Sequence, residues 1–301
     1  MRIGYPCINR TVECKGDRTF RLKSYSESRL VATVTDNLNC LLKMLQFNTA
    51  HDILFFRITS DLVPFASHPI CQFDWQQAFL NRFQEIGEFT RSHYMRLSMH
   101  PDQFTLINSV DERVFETSVR ELIYHATTLD SMGLDCSAKI QIHLGGVYGD
   151  KRKSMHRFVQ RFHHLPERIK GRLVIENDDR NYTLNDCMTV YDAIGIPVVL
   201  DVFHHEVNGS GETLSQAFHR FVKTWTEEDG LPIVHYSSQR TGSRRGSHAE
   251  SIDLRDFHSF LEKTKPFDFD VMLEIKDKEK SAVKAVKTAM HDDRFLRFKT
   301  E

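Results

Sequence analysis

Short apolar, β-branched runs recur along the chain and alternate with longer stretches whose apolar residues repeat at helical spacing. The runs cover residues 2–7, 52–58, 94–99, 139–144, 172–175, 196–203, 231–236 and 269–275. Between them lie amphipathic stripes such as Leu38-Leu41-Leu42-Leu45, Phe79-Phe83-Ile86, Phe115-Val119-Leu122-Ala126, Phe158-Phe162-Leu165 and Ala217-Phe221-Trp225. Gly133, Gly171 and Gly195 stand where helices should stop, and Asp111 and Thr183 where helices should start. Eight strands alternating with helices predict a parallel sheet. Eight units in 301 residues leave about 38 residues each, which suits a TIM (β/α)8 barrel. An open doubly wound sheet is the alternative. No Gly-x-Gly-x-x-Gly follows the first run, so a dinucleotide fold has little support. No Gly-, Pro- or Ser-rich linker interrupts the pattern, so residues 1–301 are expected to form one domain.

Composition narrows the function classes. With 40% hydrophobic residues, 40 Lys+Arg and 41 Asp+Glu, the chain carries a formal charge of −1. That excludes a disordered chain and a globally basic nucleic-acid coat, but leaves room for a local binding groove. No signal peptide is visible at Met1–Tyr5, and no apolar run is long enough to span a bilayer. The six cysteines (Cys7, Cys14, Cys40, Cys71, Cys136, Cys187) form no Cys-x-x-Cys pair and suggest no disulfide framework. A cytoplasmic protein without a membrane partner is expected. The 16 histidines are many for a chain of this length, and their placement matters more than their number.

In a parallel barrel the chemistry sits at the carboxyl ends of strands. There the sequence reads His100-Pro101-Asp102, His143-Leu144-Gly145-Gly146, Glu176-Asn177-Asp178-Asp179, Asp201-Val202-Phe203-His204-His205, His235-Tyr236 and Glu274-Ile275-Lys276, with His248 in the loop after the seventh strand. A carboxylate embedded in an apolar strand is costly unless it is paired or binds a metal. Glu176, Asp201 and Glu274 are in that setting and are the candidate catalytic groups. With His100, His143, His204, His235 and His248 they form a candidate metal-ligand set of eight. That exceeds the needs of one tetrahedral ion and points to two or three divalent ions. Imidazole and carboxylate without thiolate suit Mn²⁺ at least as well as Zn²⁺, and Mg²⁺ less well. Such clusters suit phosphoester hydrolysis, in which one ion acidifies water and another stabilises the leaving oxygen. Arg240, Arg244 and Arg245, spaced by glycine and serine beside His248, and Lys151-Arg152-Lys153 are candidate phosphate contacts.

These pieces, taken in order, are highly specific. Gly4-Tyr5-Pro6-Cys7 with Asn9, Ser60-Asp61-Leu62-Val63-Pro64 with Ser67-His68, Ser98-Met99-His100-Pro101-Asp102-Gln103-Phe104, His143-Leu144-Gly145-Gly146, Glu176-Asn177-Asp178-Asp179, Asp201-x-x-His204-His205, His235-Tyr236-Ser237-Ser238, His248-Ala249-Glu250 and Glu274 through Glu279 together span essentially the whole chain. In these the chain resembles the UV damage endonuclease family, metal-dependent DNA repair enzymes related to endonuclease IV. The resemblance implies a trinuclear, manganese-type site in a TIM barrel. It implies incision of double-stranded DNA immediately 5′ of cyclobutane pyrimidine dimers and 6-4 photoproducts, leaving a 3′-hydroxyl and a 5′-phosphate.

By the same resemblance, His100, His143 and Glu176 hold one ion, and Asp201, His235, Glu176 and Glu274 the second. His204 and His248 hold the third. Gln103 and Phe104 probe the duplex, Tyr5 lies near the damaged nucleotides, and His68 and His205 orient ligands from behind. Ile233 is a departure: some relatives carry Lys there, so the third ion is the least secure. A monomer acting on UV-damaged DNA, and through it associated with the nucleoid, is the expected form. The rival functions are an abasic-site endonuclease, a sugar isomerase-like barrel and a non-catalytic damage-binding module.

Overall fold

In the computed structural model, which describes residues 1–298, the eight runs become eight short parallel strands. They are β1 (Ile3–Pro6), β2 (Phe55–Ile58), β3 (Arg96–Met99), β4 (Lys139–His143), β5 (Leu173–Glu176), β6 (Val198–Asp201), β7 (Ile233–Tyr236) and β8 (Asp270–Leu273). Each pairs with the next, and β8 closes on β1 through Ile3↔Val271 and Gly4↔Met272. This is the TIM barrel, and the closed ring excludes the open sheet. Helices such as Glu27–Ala50, Glu112–Ser131 and Leu254–Lys263 wrap the outside. The Asp111 and Thr183 side chains cap helix starts as their positions predict, and Gly195 ends a helix in the left-handed conformation. Among the described residues no helix is long and apolar enough to cross a membrane.

Successive side chains along a strand point to opposite faces of the sheet. The outward set packs against the helices in one large core. The inward set stacks in three layers. A middle, dry layer consists of Phe55, Val174, Val199, Ile233 and Met272. Arg96, Lys139 and Asp270 lie below it, two residues earlier on their strands or at the same height on neighbours. Arg57, Gln141, Glu176, Asp201, His235 and Glu274 lie above it, at the carboxyl ends.

Two expectations are corrected here. The sixth strand ends at Asp201 rather than at residue 203. The Asp201 carboxylate accepts the His204 amide hydrogen (2.7 Å) and caps a short helix, Val202–Val207, that starts at once. The cysteines are not all free: Cys14 and Cys40 form a disulfide with their Cα atoms 5.7 Å apart, while Cys7, Cys71, Cys136 and Cys187 remain thiols. The segment after β1 folds back over the helix Glu27–Ala50. That return brings together two residues whose 26-residue separation carries no motif.

Candidate metal centre and its rim

Three groups of side chains place one ligand atom each within 4.8 Å of one another: His100, His143 and Glu176; Glu176, Asp201 and His204; and Glu176, His235 and Glu274. Glu176, at the end of β5, belongs to all three and sits at their centre. The strand pairing explains the convergence, because His143 lies opposite Glu176 and Asp201 opposite His235 in register. The grouping differs in one respect from the expected one: Asp201 stands with His204 rather than with His235. His248 lies outside the three groups, but its ring is 5.8 Å from that of His204.

The hydrogen bonds fix how the imidazoles face the centre. A carbonyl only accepts, so a ring nitrogen bonded to one carries the proton, and the other nitrogen offers its lone pair. His100 Nδ1 donates to the Pro101 carbonyl (2.6 Å), His204 Nδ1 to that of Asn177 (3.1 Å) and His248 Nδ1 to that of Glu274 (2.8 Å). Their Nε2 atoms are thereby left able to accept a metal, the usual means of orienting metal-binding histidines. Asn177 locks β5 to β6 by bonding both the amide and the carbonyl of Asp201 (3.0 and 2.9 Å).

The electrostatics are those of a site short of positive charge. Burial pushes the Asp201 carboxyl up to about 6, with Glu176 and Glu274 adding to the rise and His204 opposing it. Burial lowers His204, but Asp201, Glu176 and Glu274 outweigh it and carry the imidazole up to about 9. For Glu176 and Glu274 burial also raises the carboxyl. The positive partners prevail, His235 for Glu176 and Arg57 for Glu274, and hold both below the ordinary range. Burial, Arg57 and His143 lower His100 to about 3, so its imidazole stays neutral. Asp201 Oδ2 and His143 Nδ1 are buried without a hydrogen-bond partner. A buried carboxylate oxygen without a hydrogen bond, here with only His204 Nδ1 at 3.4 Å, is expensive, and a cation against it removes that cost. The donor set therefore fits divalent metal.

Two residues of this centre were missed from sequence. Arg57, inward-facing on β2, donates to Glu274 (2.7 Å), to His235 Nε2 (2.8 Å) and to Gln141 (3.2 Å). Gln141 in turn donates to Glu176. Arg57 stands in the apolar run Leu54-Phe55-Phe56-Arg57-Ile58. The argument that singled out Glu176, a charge inside an apolar strand, applies to it equally. Ile233 is buried in the dry layer two residues before His235, and the charged group bonded to Glu274 is the Arg57 guanidinium, from the same layer.

Around the centre, a cavity of about 390 Å³ is lined by His100, Gln103, His143, Asp178, Arg180 and His204, among others. Gln103 and Phe104 stand exposed on its rim, Phe104 at 70% exposure. Arg244 is exposed with its side chain uncommitted, Arg245 bonds the Val207 carbonyl, and Arg240 pairs with Glu250 (2.9 Å). The Arg240–Arg245 loop is ordered by Gln239, whose side chain bonds the Arg240 and Arg244 carbonyls and the Gly246 amide. Of the second basic group, Lys151 is held by Asp186 (2.8 Å) and Lys153 lies near Asp150, leaving Arg152 exposed.

Three expected roles do not match their positions. Tyr5 is fully buried: its hydroxyl donates to Asn48 (2.7 Å) and accepts from Asn9 (2.8 Å). It is an outward-facing residue of β1, packed edge-on against Phe56 beneath the helix Glu27–Ala50, and cannot meet a damaged nucleotide at the mouth. His68 is exposed and accepts the Ile70 amide hydrogen (3.1 Å). His205 is buried but turned toward the Glu212 carbonyl (3.2 Å). Neither bonds a member of the centre.

A UV DNA damage endonuclease of Clostridium perfringens (strain 13 / Type A) is 38% identical over 99% of this chain and 73% of its own length. One of Bacillus mycoides (strain KBAB4) is 36% identical over 85% of this chain and 82% of its own. The crystal structure of SacUVDE superposes with a TM-score of 0.92 at 42% identity, covering 96% of this chain and 98% of that one. Endonuclease IV from Thermus thermophilus shares the fold, with a TM-score of 0.58 at 16% identity over 82% of this chain and 91% of its own. Residues 1–295 match the UV-endonuclease UvdE family, and the chain belongs to that family.

Proposed function

We propose that the protein is a DNA repair endonuclease that nicks duplex DNA immediately 5′ of UV photoproducts, cyclobutane pyrimidine dimers and 6-4 photoproducts, leaving a 3′-hydroxyl and a 5′-phosphate. The observation that carries this reading is the convergence of three ligand groups on Glu176 beneath a rim that exposes Gln103, Phe104 and Arg244. His100, His143, Glu176, Asp201, His204, His235, His248 and Glu274 would hold two or three divalent ions, with manganese the best match to the donors. When bound, such ions supply an acidified water and positive charge for the leaving oxygen.

The chain's own residues do the rest. Arg57 keeps Glu274 ionised and aimed at the centre, and Asn177 fixes Asp201. Gln103 and Phe104 enter the duplex where a photoproduct has weakened stacking, so that extrusion costs less there than at normal bases. Arg244, with Arg245 beside it, meets the phosphate backbone. The protein works as a single-domain monomer in the cytoplasm, associated with DNA.

The test is nicking of irradiated and unirradiated plasmid by the manganese-loaded protein. Selective nicking of irradiated plasmid is expected; equal cleavage of both, or of neither, overturns the reading.

A further inference from the structure

Next to the loop that carries Gln103 and Phe104 lies a second exposed aromatic that the site described so far does not use. Tyr148, in the loop after β4, is 41% exposed and has φ +48°. A residue with a Cβ reaches that left-handed region only at a cost, and such outliers gather where the surrounding structure fixes a side chain for use. Several contacts over-determine it here. Gly145, with φ +96°, has no room for a side chain, because a Cβ there would lie 2.3 Å from Asn108 Oδ1. The buried Asn108 amide donates to the Gly146 carbonyl (2.7 Å) and accepts the Gly146 amide hydrogen (3.1 Å), tying the loop after β3 to the loop after β4. Tyr182 bonds the same carbonyl (2.9 Å). Gly146 lies directly against the Tyr148 ring, where a Cβ would come within 2.7 Å. The Arg157 guanidinium sits 5.4 Å from the ring centre and is itself anchored by donating to the Asn108 carbonyl (2.7 Å).

We propose that Tyr148, backed by Arg157, is a nucleobase-stacking subsite, which receives a base unstacked beside the photoproduct while Gln103 and Phe104 probe the lesion. The inference rests on the function proposed above. Three features on the page support it. The ring is an amphipathic aromatic held rigid at the rim of the cavity that Gly145 and Gly146 line. Arg157 supplies positive charge beside it, which both strengthens the ring's hold on a base and attracts the adjoining phosphate. The two hydrogen bonds through Asn108 tie its loop to the loop bearing Phe104, so the two exposed aromatics are carried on joined loops. Base stacking on an aromatic tolerates any base, which suits an enzyme whose lesion, not its flanking sequence, defines the substrate.

The test uses metal-loaded enzyme and a duplex with one thymine photodimer and 2-aminopurine as its neighbour, read by stopped-flow fluorescence before incision and by steady-state nicking. Tyr148→Gly removes the ring while relieving the positive φ, so its thermal midpoint should not fall below that of the wild type. It is expected to lose more than half of the fluorescence rise and to raise KM about tenfold, the scale of one lost base stack, with kcat within about twofold. Tyr148→Phe keeps the ring and should match the wild type. Tyr148→Gly matching the wild type in both fluorescence and KM overturns the subsite, as does Tyr148→Phe failing as badly as Tyr148→Gly. If the wild type itself neither brightens nor nicks this duplex, the function reading fails, and the subsite with it.

Discussion

At the amino-terminal end of the barrel, Asp270 accepts the Arg2 amide (2.6 Å), the Arg2 guanidinium (3.2 Å) and Arg96 (3.0 Å), while Lys139 donates to Asp229 and the Gly171 carbonyl. Arg96 also donates to three carbonyls, those of Ser137, Asp229 and Leu231, and packs near the Phe55 and Trp225 rings. At the carboxyl-terminal end, one layer of apolar side chains away, three carboxylates, Glu176, Asp201 and Glu274, face one guanidinium, that of Arg57 on Glu274 (2.7 Å), and otherwise only imidazoles, His235 beside Glu176 (2.5 Å) and His204 beside Asp201 (3.4 Å). The lower set has its charges opposed by guanidinium and ammonium groups; the upper set leaves a buried carboxylate oxygen of Asp201 with no hydrogen bond and only the His204 imidazole, 3.4 Å away, to oppose it. Both ends bury ionic groups, and burial by itself therefore says nothing about function. What separates a structural network from a functional one is whether the chain completes the charge balance or leaves it to a ligand.

Removing a group from each end should give opposite phenotypes. Glu176→Ala is expected to abolish photoproduct nicking, by about a thousandfold or more on the scale of losing a central electrostatic group. It should lower bound metal by elemental analysis while leaving the circular dichroism of the fold unchanged; full activity would contradict the ligand assignment. Asp270→Ala at the other end leaves Arg96 buried without its counter-charge. It should cost about 3–5 kcal/mol in denaturant unfolding, while the folded fraction still nicks at low temperature. A variant equally stable but inactive would reverse the roles given to the two ends.

A third comparison uses pH. His204, folded at about 9 against 6.5 unfolded, contributes stability that is present below pH 6.5 and lost as pH rises through 9. Asp201, folded at about 6, likewise loses its contribution as pH rises through 6. Chelator-treated protein should therefore lose up to about 3 kcal/mol between pH 6 and 9. Manganese-loaded protein should show a flatter profile, because ions take the place of the protons. Identical profiles would mean that the upper end is already balanced. The smallest effect is expected from Arg244→Ala, on the outer rim. DNA affinity should fall modestly, the slope of log K against log salt should shallow by about 0.9, and metal content should not change. An unaltered slope would make the loop ordinary solvated surface.

The strand ends were legible because a charged residue at the close of an apolar run is improbable on energetic grounds, and Glu176, Asp201 and Glu274 each interrupt such a run. The barrel was legible for a similar reason: short apolar, β-branched runs alternating with helical stripes leave few topologies. Other features depended on information that no local pattern carries. Tyr5 was misplaced because a strand's parity decides which face a residue occupies, and the parity of a four-residue strand cannot be read without its register against Phe56. His68 and His205 carry the same residue type as the candidate ligands, yet point to the Ile70 amide and the Glu212 carbonyl. Asn108, which organises two loops, looks like an ordinary loop asparagine until Gly146 is found against it.

The Cys14–Cys40 bond gives the chain a covalent topology beyond that of a linear polymer. Residues 14–40 become a closed ring that takes in the basic stretch after β1, with Lys15, Arg18, Arg21 and Lys23, and the first half of the following helix. A single backbone cut anywhere inside that ring leaves the two pieces of the protein tethered, and only a reductant separates them. Electrophoresis with and without thiol after limited proteolysis would thus map the ring directly, and samples handled in reductant and in air are two different molecules along that edge of the barrel mouth.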